Sequence, residues 1–272
     1  MNTQGVLALA ATLTSVGCNI APPDPLALDP DAISIASVLV ANETHARILV
    51  GYPHRSLSGP PPRISASLLA PGWRAAFTHE TDPEDGCGGG PTFWRMPMVC
   101  LNASLPQPIR EQVTYKLEGE GPKGRISGEI TVPSAPLILD PGDTLWLPDS
   151  IRSIRIPIRY RAPPGAGTLR PEVLATHRTS TGIESNWVSA YPGGLDVDGQ
   201  ADTLSVPGAD VSRLEAASMH LLGIGWNYTR FRESSRVRFP WPSFGLSGDG
   251  IYGYFDGSAK SRRVHIALED GG

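Results

Sequence analysis

Apolar residues recur at every second position in several short stretches of this chain, and glycine and proline stand between the stretches. Ile33-Ser-Ile-Ala-Ser-Val-Leu-Val40 alternates and then becomes wholly apolar. Arg63-Ile-Ser-Ala-Ser-Leu-Leu69, Val113-Thr-Tyr-Lys-Leu-Glu118 and Arg263-Val-His-Ile-Ala-Leu268 alternate again. A period of two puts one side of an extended segment in a core and the other in water, which is the mark of a half-buried strand. Glycine (30) and proline (27) occupy so many of the 272 positions that long helices are interrupted almost everywhere. Hydrophobic residues at 40% supply a core, so wholesale disorder is excluded.

The expected fold is all-β: an N-terminal immunoglobulin-like or transthyretin-like sandwich, then a second β-sandwich or barrel-like domain with at most one or two short helices. The run from 33 to 40 and His45-Ala-Arg-Ile-Leu-Val-Gly51 read as a hairpin, and Trp73 to Phe77 as the partner of 63–69. A second hairpin joins 113–118 to Arg125–Val132 across the six turn-type residues Gly119-Glu-Gly-Pro-Lys-Gly124. The proline-rich stretch around Asp140-Pro-Gly-Asp143 marks a boundary. The division is then 33–135 for the first sandwich, 136–144 for a linker and 145–272 for the C-terminal β domain. In Ser153-Ile-Arg-Ile-Pro-Ile-Arg-Tyr160 the isoleucines face one way and the arginines the other. Pro157 cannot donate to a ladder, which predicts an edge strand or a bulge. Further strands are expected near 169–176, 185–190, 202–206 and 216–222. Ser212-Arg-Leu-Glu215 has the form of a helix capping box, although Met219-His-Leu-Leu222 suits a strand; a short helix is expected from Trp226 to Glu233.

The N-terminus carries a different signal. Residues 6–13 form an apolar core, interrupted only by Thr12 and too short to span a bilayer, and Ser15-Val-Gly-Cys18 follows. This segment resembles a lipoprotein-type signal peptide (1–18) whose Cys18 takes a diacylglyceryl group after cleavage. Residues 19–32 hold four prolines and three aspartates and read as a semi-rigid tether. In an oxidising compartment Cys87 and Cys100, thirteen positions apart, are expected to bond. Closing so short a loop contributes about 3 kcal/mol.

Chemistry is harder to find. The net charge of −4 and the lack of a basic block disfavour nucleic acid as a partner. No Gly-x-Ser-x-Gly elbow, His-Glu-x-x-His helix or four-ligand Cys/His set occurs, so no catalytic residue and no cofactor are assigned. Asp196, Asp198 and Asp202 surround a glycine and are the candidate cation ligands, with a polar turn as the other reading. Nine of the nineteen aromatic residues fall between 226 and 255. Trp241 and Tyr252 are the candidates for an exposed ligand-binding pair, while Phe255 and Trp226 are expected to pack on glycines 223, 225 and 253.

Taken together, Ile64-Ser-Ala-Ser-Leu-Leu69, Tyr115-Lys-Leu-Glu118, Gly128-Glu-Ile-Thr-Val-Pro-Ser-Ala-Pro136, Leu221-Leu-Gly-Ile-Gly-Trp-Asn-Tyr228 and Ser247-Gly-Asp-Gly-Ile-Tyr-Gly-Tyr-Phe255 give the chain a family likeness. It resembles bacterial surface lipoproteins of the domain-of-unknown-function 4249 family. The resemblance implies an outer-membrane setting, a lipid anchor, and company with a TonB-dependent transporter; it implies no catalytic residue. The expected function is non-enzymatic binding or assembly in the cell envelope. The alternative is a carbohydrate- or small-ligand-binding protein, with a surface glycan as partner, that uses the C-terminal aromatic cluster.

Overall fold

The computed structural model describes residues 31–51, 63–79, 98–148, 155–179, 182–189, 195, 197–198, 201–205, 214–235 and 242–269. The fold is all-β, as expected. The strands of the first half are β1 (Ile33–Val40), β2 (His45–Gly51), β3 (Ser65–Ala70), β4 (Trp73–Ala76), β5 (Thr78–His79), β6 (Met98–Ser104), β7 (Thr114–Gly121) and β8 (Gly124–Thr131). There follow β9 (Leu137–Asp140), β10 (Thr144–Pro148), β11 (Arg155–Arg161), β12 (Ala166–Thr179), β13 (Gly182–Ser189), β14 (Ala201–Ser205) and β15 (Leu214–Gly225). Helix α1 (Trp226–Ser235) leads to β16 (Ser243–Phe244), β17 (Leu246–Ser247), β18 (Ile251–Lys260) and β19 (Val264–Glu269).

Alternation builds these strands much as the sequence suggests. β1 buries Ile33, Ile35 and Leu39; Ser37, in the same row, is satisfied by donating its hydroxyl hydrogen to the Arg47 carbonyl at 2.9 Å. β1 and β2 pair antiparallel, as do β3 and β4. β7 and β8 also form the expected hairpin, but with a tighter turn. Pairing continues through Glu120–Arg125 to Gly121–Gly124, so only Pro122 and Lys123 lie between the strands. The strand reading wins over the capping box, because β15 begins at Leu214 and runs unbroken into α1.

Pro157 departs from expectation in an instructive way. Its strand, β11, is the central one of a three-stranded sheet ordered β14-β11-β9. However, β9 pairs only with Arg159 to Arg161, which leaves Pro157 a partner, Thr203, on one side. The missing donor therefore costs no ladder bond to β9. The expected bulge is present two residues on, between Arg159 and Tyr160. Ile156, Ile158 and Tyr160 point into the core, and Arg155, Pro157, Arg159 and Arg161 are exposed.

The other sheets are a five-stranded one, β17-β8-β7-β3-β4, and an eleven-stranded one. The large sheet follows the path β10-β19-β15-β18-β1-β2-β6-β5, with β12, β13 and β16 paired off it. Two cores form. The first holds Ile33, Ile48, Leu68, Leu101, Tyr115, Leu117 and Ile130, together with Leu246, Ile251, Phe255 and Ala259 from the far end of the chain. The second holds Ile156, Ile158, Tyr160, Leu169, Val173, Leu204, Met219, Leu221, Val264 and Ile266. The stretch 136–144 is thus a first crossing between cores, not a boundary between two continuous domains. It also contributes structure of its own: β9 with Ile138 buried, and the start of β10.

Both cores lie on one face of the large sheet. At the seam, Gly223 of β15 stands opposite Ala259 of β18. Directly opposed residues share a face, and Gly223 shares that face with Leu221 two positions away. Ala259 belongs to the first core and Leu221 to the second. The chain crosses this face between the cores, and glycines make room for it. A Cβ at Gly257 would lie 2.8 Å from Val132 Cα, and one at Gly223 would lie 3.0 Å from Pro136 Cγ.

After β18 the chain returns to the second body through Arg262. Its guanidinium donates to the carbonyls of Gly142 (2.9 Å), Pro141 (2.6 Å) and Ile138 (3.2 Å) and to the Asp143 carboxylate (2.9 Å). One planar fork thereby holds the whole β9–β10 turn. Arg262→Ala leaves three carbonyls short of a donor and is expected to cost about 2 kcal/mol, or roughly 4–8 °C in Tm. Arg262→Lys should recover little of this, because an ammonium cannot reproduce the fork. Thermal melts of the three proteins check the order.

Candidate functional site

The outer face of the five-stranded sheet carries a row of small and polar side chains in strict register. Ala76 of β4 stands opposite Ser67 of β3, Ser67 opposite Glu118 of β7, Glu118 opposite Ser127 of β8, and Ser127 opposite Ser247 of β17. Across four strand spacings this row runs about 19 Å. On one side it is flanked by Arg74, Leu69, Lys116 and Glu129, again in register. On the other stand Ser65, Glu120 and Arg125. The flanks are mostly long side chains and the central row mostly short ones, which makes a trough divided in the middle where Glu118 reaches toward Arg125.

Two shallow clefts of about 460 and 440 Å³ occupy this trough, and they share Glu118 and Arg125. The walls are electrically balanced within themselves. Lys116 Nζ lies 3.2 Å from Glu129, and an Arg125 guanidinium nitrogen lies 3.6 Å from Glu118. Both pairs are solvent-exposed and contribute little stability. Their effect is to cancel charge and hold forked donors and acceptors beside the floor. Gly128 lets β17 close the trough: a Cβ there would lie 2.6 Å from the Gly245 carbonyl oxygen and 3.0 Å from the Phe255 ring.

The residues singled out from sequence lie elsewhere. Cys18, Cys87, Trp241 and Asp196 fall outside the described residues. Cys100 is buried on β6, opposite Leu49 of β2. Asp198 and Asp202 are exposed, and Asp202 accepts a hydrogen bond from the Thr203 amide at 2.6 Å. Among the described residues no group of three or more His, Cys, Asp or Glu could hold a metal ion. Tyr252 is half-buried on β18, alongside Ser34 of β1.

The aromatic cluster divides in two. Phe255 is fully buried in the first core, against Gly128 rather than the expected glycines. Tyr254 takes Tyr228 edge-on at 5.3 Å and Phe231 at 5.0 Å, which fastens α1 to β18. Trp226, expected inside, is 48% exposed. The reason lies in the glycines, whose open sides are already taken: Gly223 by Pro136, Gly225 by Asp256 and Gly253 by the Ile35 backbone.

Asp256 explains how α1 begins. It is buried, and its two carboxylate oxygens accept from the amides of Tyr228 and Gly257, each at 2.8 Å. A residue from β18 thus serves the helix as an N-cap would, and favours the positive end of its dipole. A Cβ at position 225 would fall 2.0 Å from Asp256 Oδ1, so only glycine admits this contact. Burial pushes the carboxyl up to about 6, against the pull of the amides of Tyr228, Gly257 and Asn227. Burial likewise raises the Tyr254 phenol, with Tyr228 and Asp256 adding to the effect. On the large sheet, away from both cores, buried His220 lies 3.2 Å from Glu172. That hydrogen bond holds the Glu172 carboxyl below its usual range in spite of burial, with Arg170 helping.

No family model matches the chain, and no curated protein matches it. Among solved structures, the tandem Ig repeats of Dlar overlap 88% of this chain and 98% of their own at 13% identity, with a TM-score of 0.29. CBD12 from CALX1.2 overlaps 87% and 100% at 8% identity (TM-score 0.22). The N-terminal part of the bacterial S-layer protein SbsC overlaps 88% of this chain and 44% of its own at 10% identity (TM-score 0.23). Superposition at this level leaves the function to be argued from the chain's own residues.

Asp256 gives the fold a pH signature. Its folded-state affinity for a proton exceeds that of the unfolded chain, so stability falls as pH rises through about 6. Acidifying from pH 7 to pH 5 should therefore stabilise the protein by roughly 1–2 kcal/mol. Glu172 acts in the opposite sense only near and below its ordinary value of 4.5, outside this window. Urea unfolding across the window checks the gain, and in Asp256→Asn it should disappear.

Proposed function

We propose that this chain is a non-enzymatic binding protein of the bacterial cell envelope, held to the outer membrane by lipid on Cys18. Its relatives would be the surface lipoproteins it resembles, and a TonB-dependent transporter is the neighbour that resemblance suggests. The observation that carries the binding reading is the register-matched trough on the five-stranded sheet. Its charged walls are paired internally, which suits holding a ligand better than attacking one. Among the described residues the carboxylate that burial raises, Asp256, is committed to backbone amides behind α1.

The tether reading draws support from the geometry of β1. Residues 19–32 lead into Ile33, at the end of β1 farthest from the seam formed by Leu222–Ile224 and Ser258–Lys260. Ala32 is already buried in the body, so a proline-stiffened tether over 19–31 would reach about 40 Å. The first body, with the trough, would stand nearer the membrane and the second farther out. The same reading has Cys100, buried on β6, bonded in an oxidising compartment. Cys87 is the partner we propose.

Intact-mass analysis of protein extracted from native envelopes tests the anchor. The expected species starts at Cys18, carries added acyl mass and has Cys87 and Cys100 oxidised. Cys18→Ser should move the protein to the soluble fraction. An unmodified cytosolic chain that keeps Met1 contradicts the proposal.

A further inference from the structure

We infer that the trough binds a linear, neutral, hydroxyl-rich chain, an oligosaccharide, laid across the strands. This deepens the binding reading of the same site and rests on it, but it does not depend on the lipid anchor. Arg74, Lys116 and Arg125 line the clefts with Glu118, Glu120 and Glu129, three of each sign. A polyanion or polycation gains as much repulsion as attraction there. An apolar ligand finds no matching surface, because the central row presents hydroxyls and a carboxylate.

A peptide is disfavoured by direction. Polypeptides bind sheets along an edge strand, where backbone donors and acceptors are free. The trough runs across five strands whose interior members already use those groups in the ladder. It offers side chains only. Ser127 and Ser247 each supply one donor and two acceptor lone pairs, Ser67 lies buried at the floor of the second cleft, and Glu118 supplies a planar fork between Ser67 and Ser127. The Arg125 guanidinium beside Glu118 supplies a second fork. Planar forks of this kind pair with two adjacent hydroxyl groups at once. The groups repeat once per strand, about 4.8 Å apart, close to the length of one pyranose unit in a linear glycan. Ala76 ends the row without a polar group, so repeating polar groups in the ligand would meet repeating polar groups in the protein over four units.

Titration calorimetry on the full chain carrying Cys18→Ser tests this without any contribution from lipid. The probes are cello-, manno- and malto-oligosaccharides from one to six units, and lipid-free O-polysaccharide. Saturable binding is expected for at least one series, strengthening with length up to about four units. It should change less than twofold in 0.5 M NaCl, because no net charge is involved. Ser127→Val and Glu118→Gln should each weaken it about tenfold while melting near the parent temperature. Which series binds separates an external glycan from the envelope's own. No saturable binding to any probe overturns the inference. So does binding that both trough variants leave intact, or that Trp241→Ala with Tyr252→Ala abolishes. The lipid mass on Cys18 is unaffected by any of these outcomes, so the anchor and the glycan stand or fall separately.

Discussion

Parallel pairing between β1 and β18 is the interaction on which the remaining architecture depends. Eight residue pairs, from Ile33–Ile251 to Val40–Ser258, join strands more than two hundred positions apart. Without β18, one flank of β1 would be an open edge, and the first core would lose Ile251, Phe255 and Ala259. β18 reaches further through its last three residues, which pair with Leu222–Ile224 of β15 and so weld the second body to the first. Helix α1 is seated by the same strand, through Asp256 at its first turn and Tyr254 along its side. Even the trough depends on it, since β17 precedes β18 by three residues and packs beside Phe255 across Gly128.

Much of the fold was legible in the sequence because strand periodicity is local. β1, β2, β3, β7, β8, β11 and β19 follow from alternation alone, and α1 from the residues around Trp226. The errors came from contacts that alternation cannot encode. For Pro157 the bulge was legible but not the central place of β11, because the sequence does not reveal that β9 pairs with it only from Arg159 onward. The six-residue turn shrank to two because Glu120 and Arg125 continue the ladder. The second domain seemed to run to the C-terminus because nothing in 246–260 announces that it belongs with residues 33–40. In the aromatic cluster Phe255 is buried as expected, and the miss is Trp226, which is exposed because the glycines expected to receive it are already covered.

The trough was half legible. The β7–β8 hairpin already opposes Lys116 to Glu129, Glu118 to Ser127 and Glu120 to Arg125, and a register drawn from the turn would have found those rows. Ser67 and Ser247 could not be added, because they arrive from strands that pair only in the folded sheet. A surface with no metal ligands, no nucleophile motif and no aromatic platform leaves no short motif behind. What distinguishes it is the matching of side-chain size and charge across five strands, a property of register and not of composition.

The central claim is that the two bodies form one cooperative structure laced by β18. Native-state hydrogen exchange tests it most directly. Amides of β1, of β18 and of Leu222–Ile224 in β15 should open together, with one free energy close to that of global unfolding. Exchange of β18 and β15 at a markedly lower free energy, with β1 and β2 still protected, would mean that the first sandwich stands without its C-terminal strand, and the account would fail.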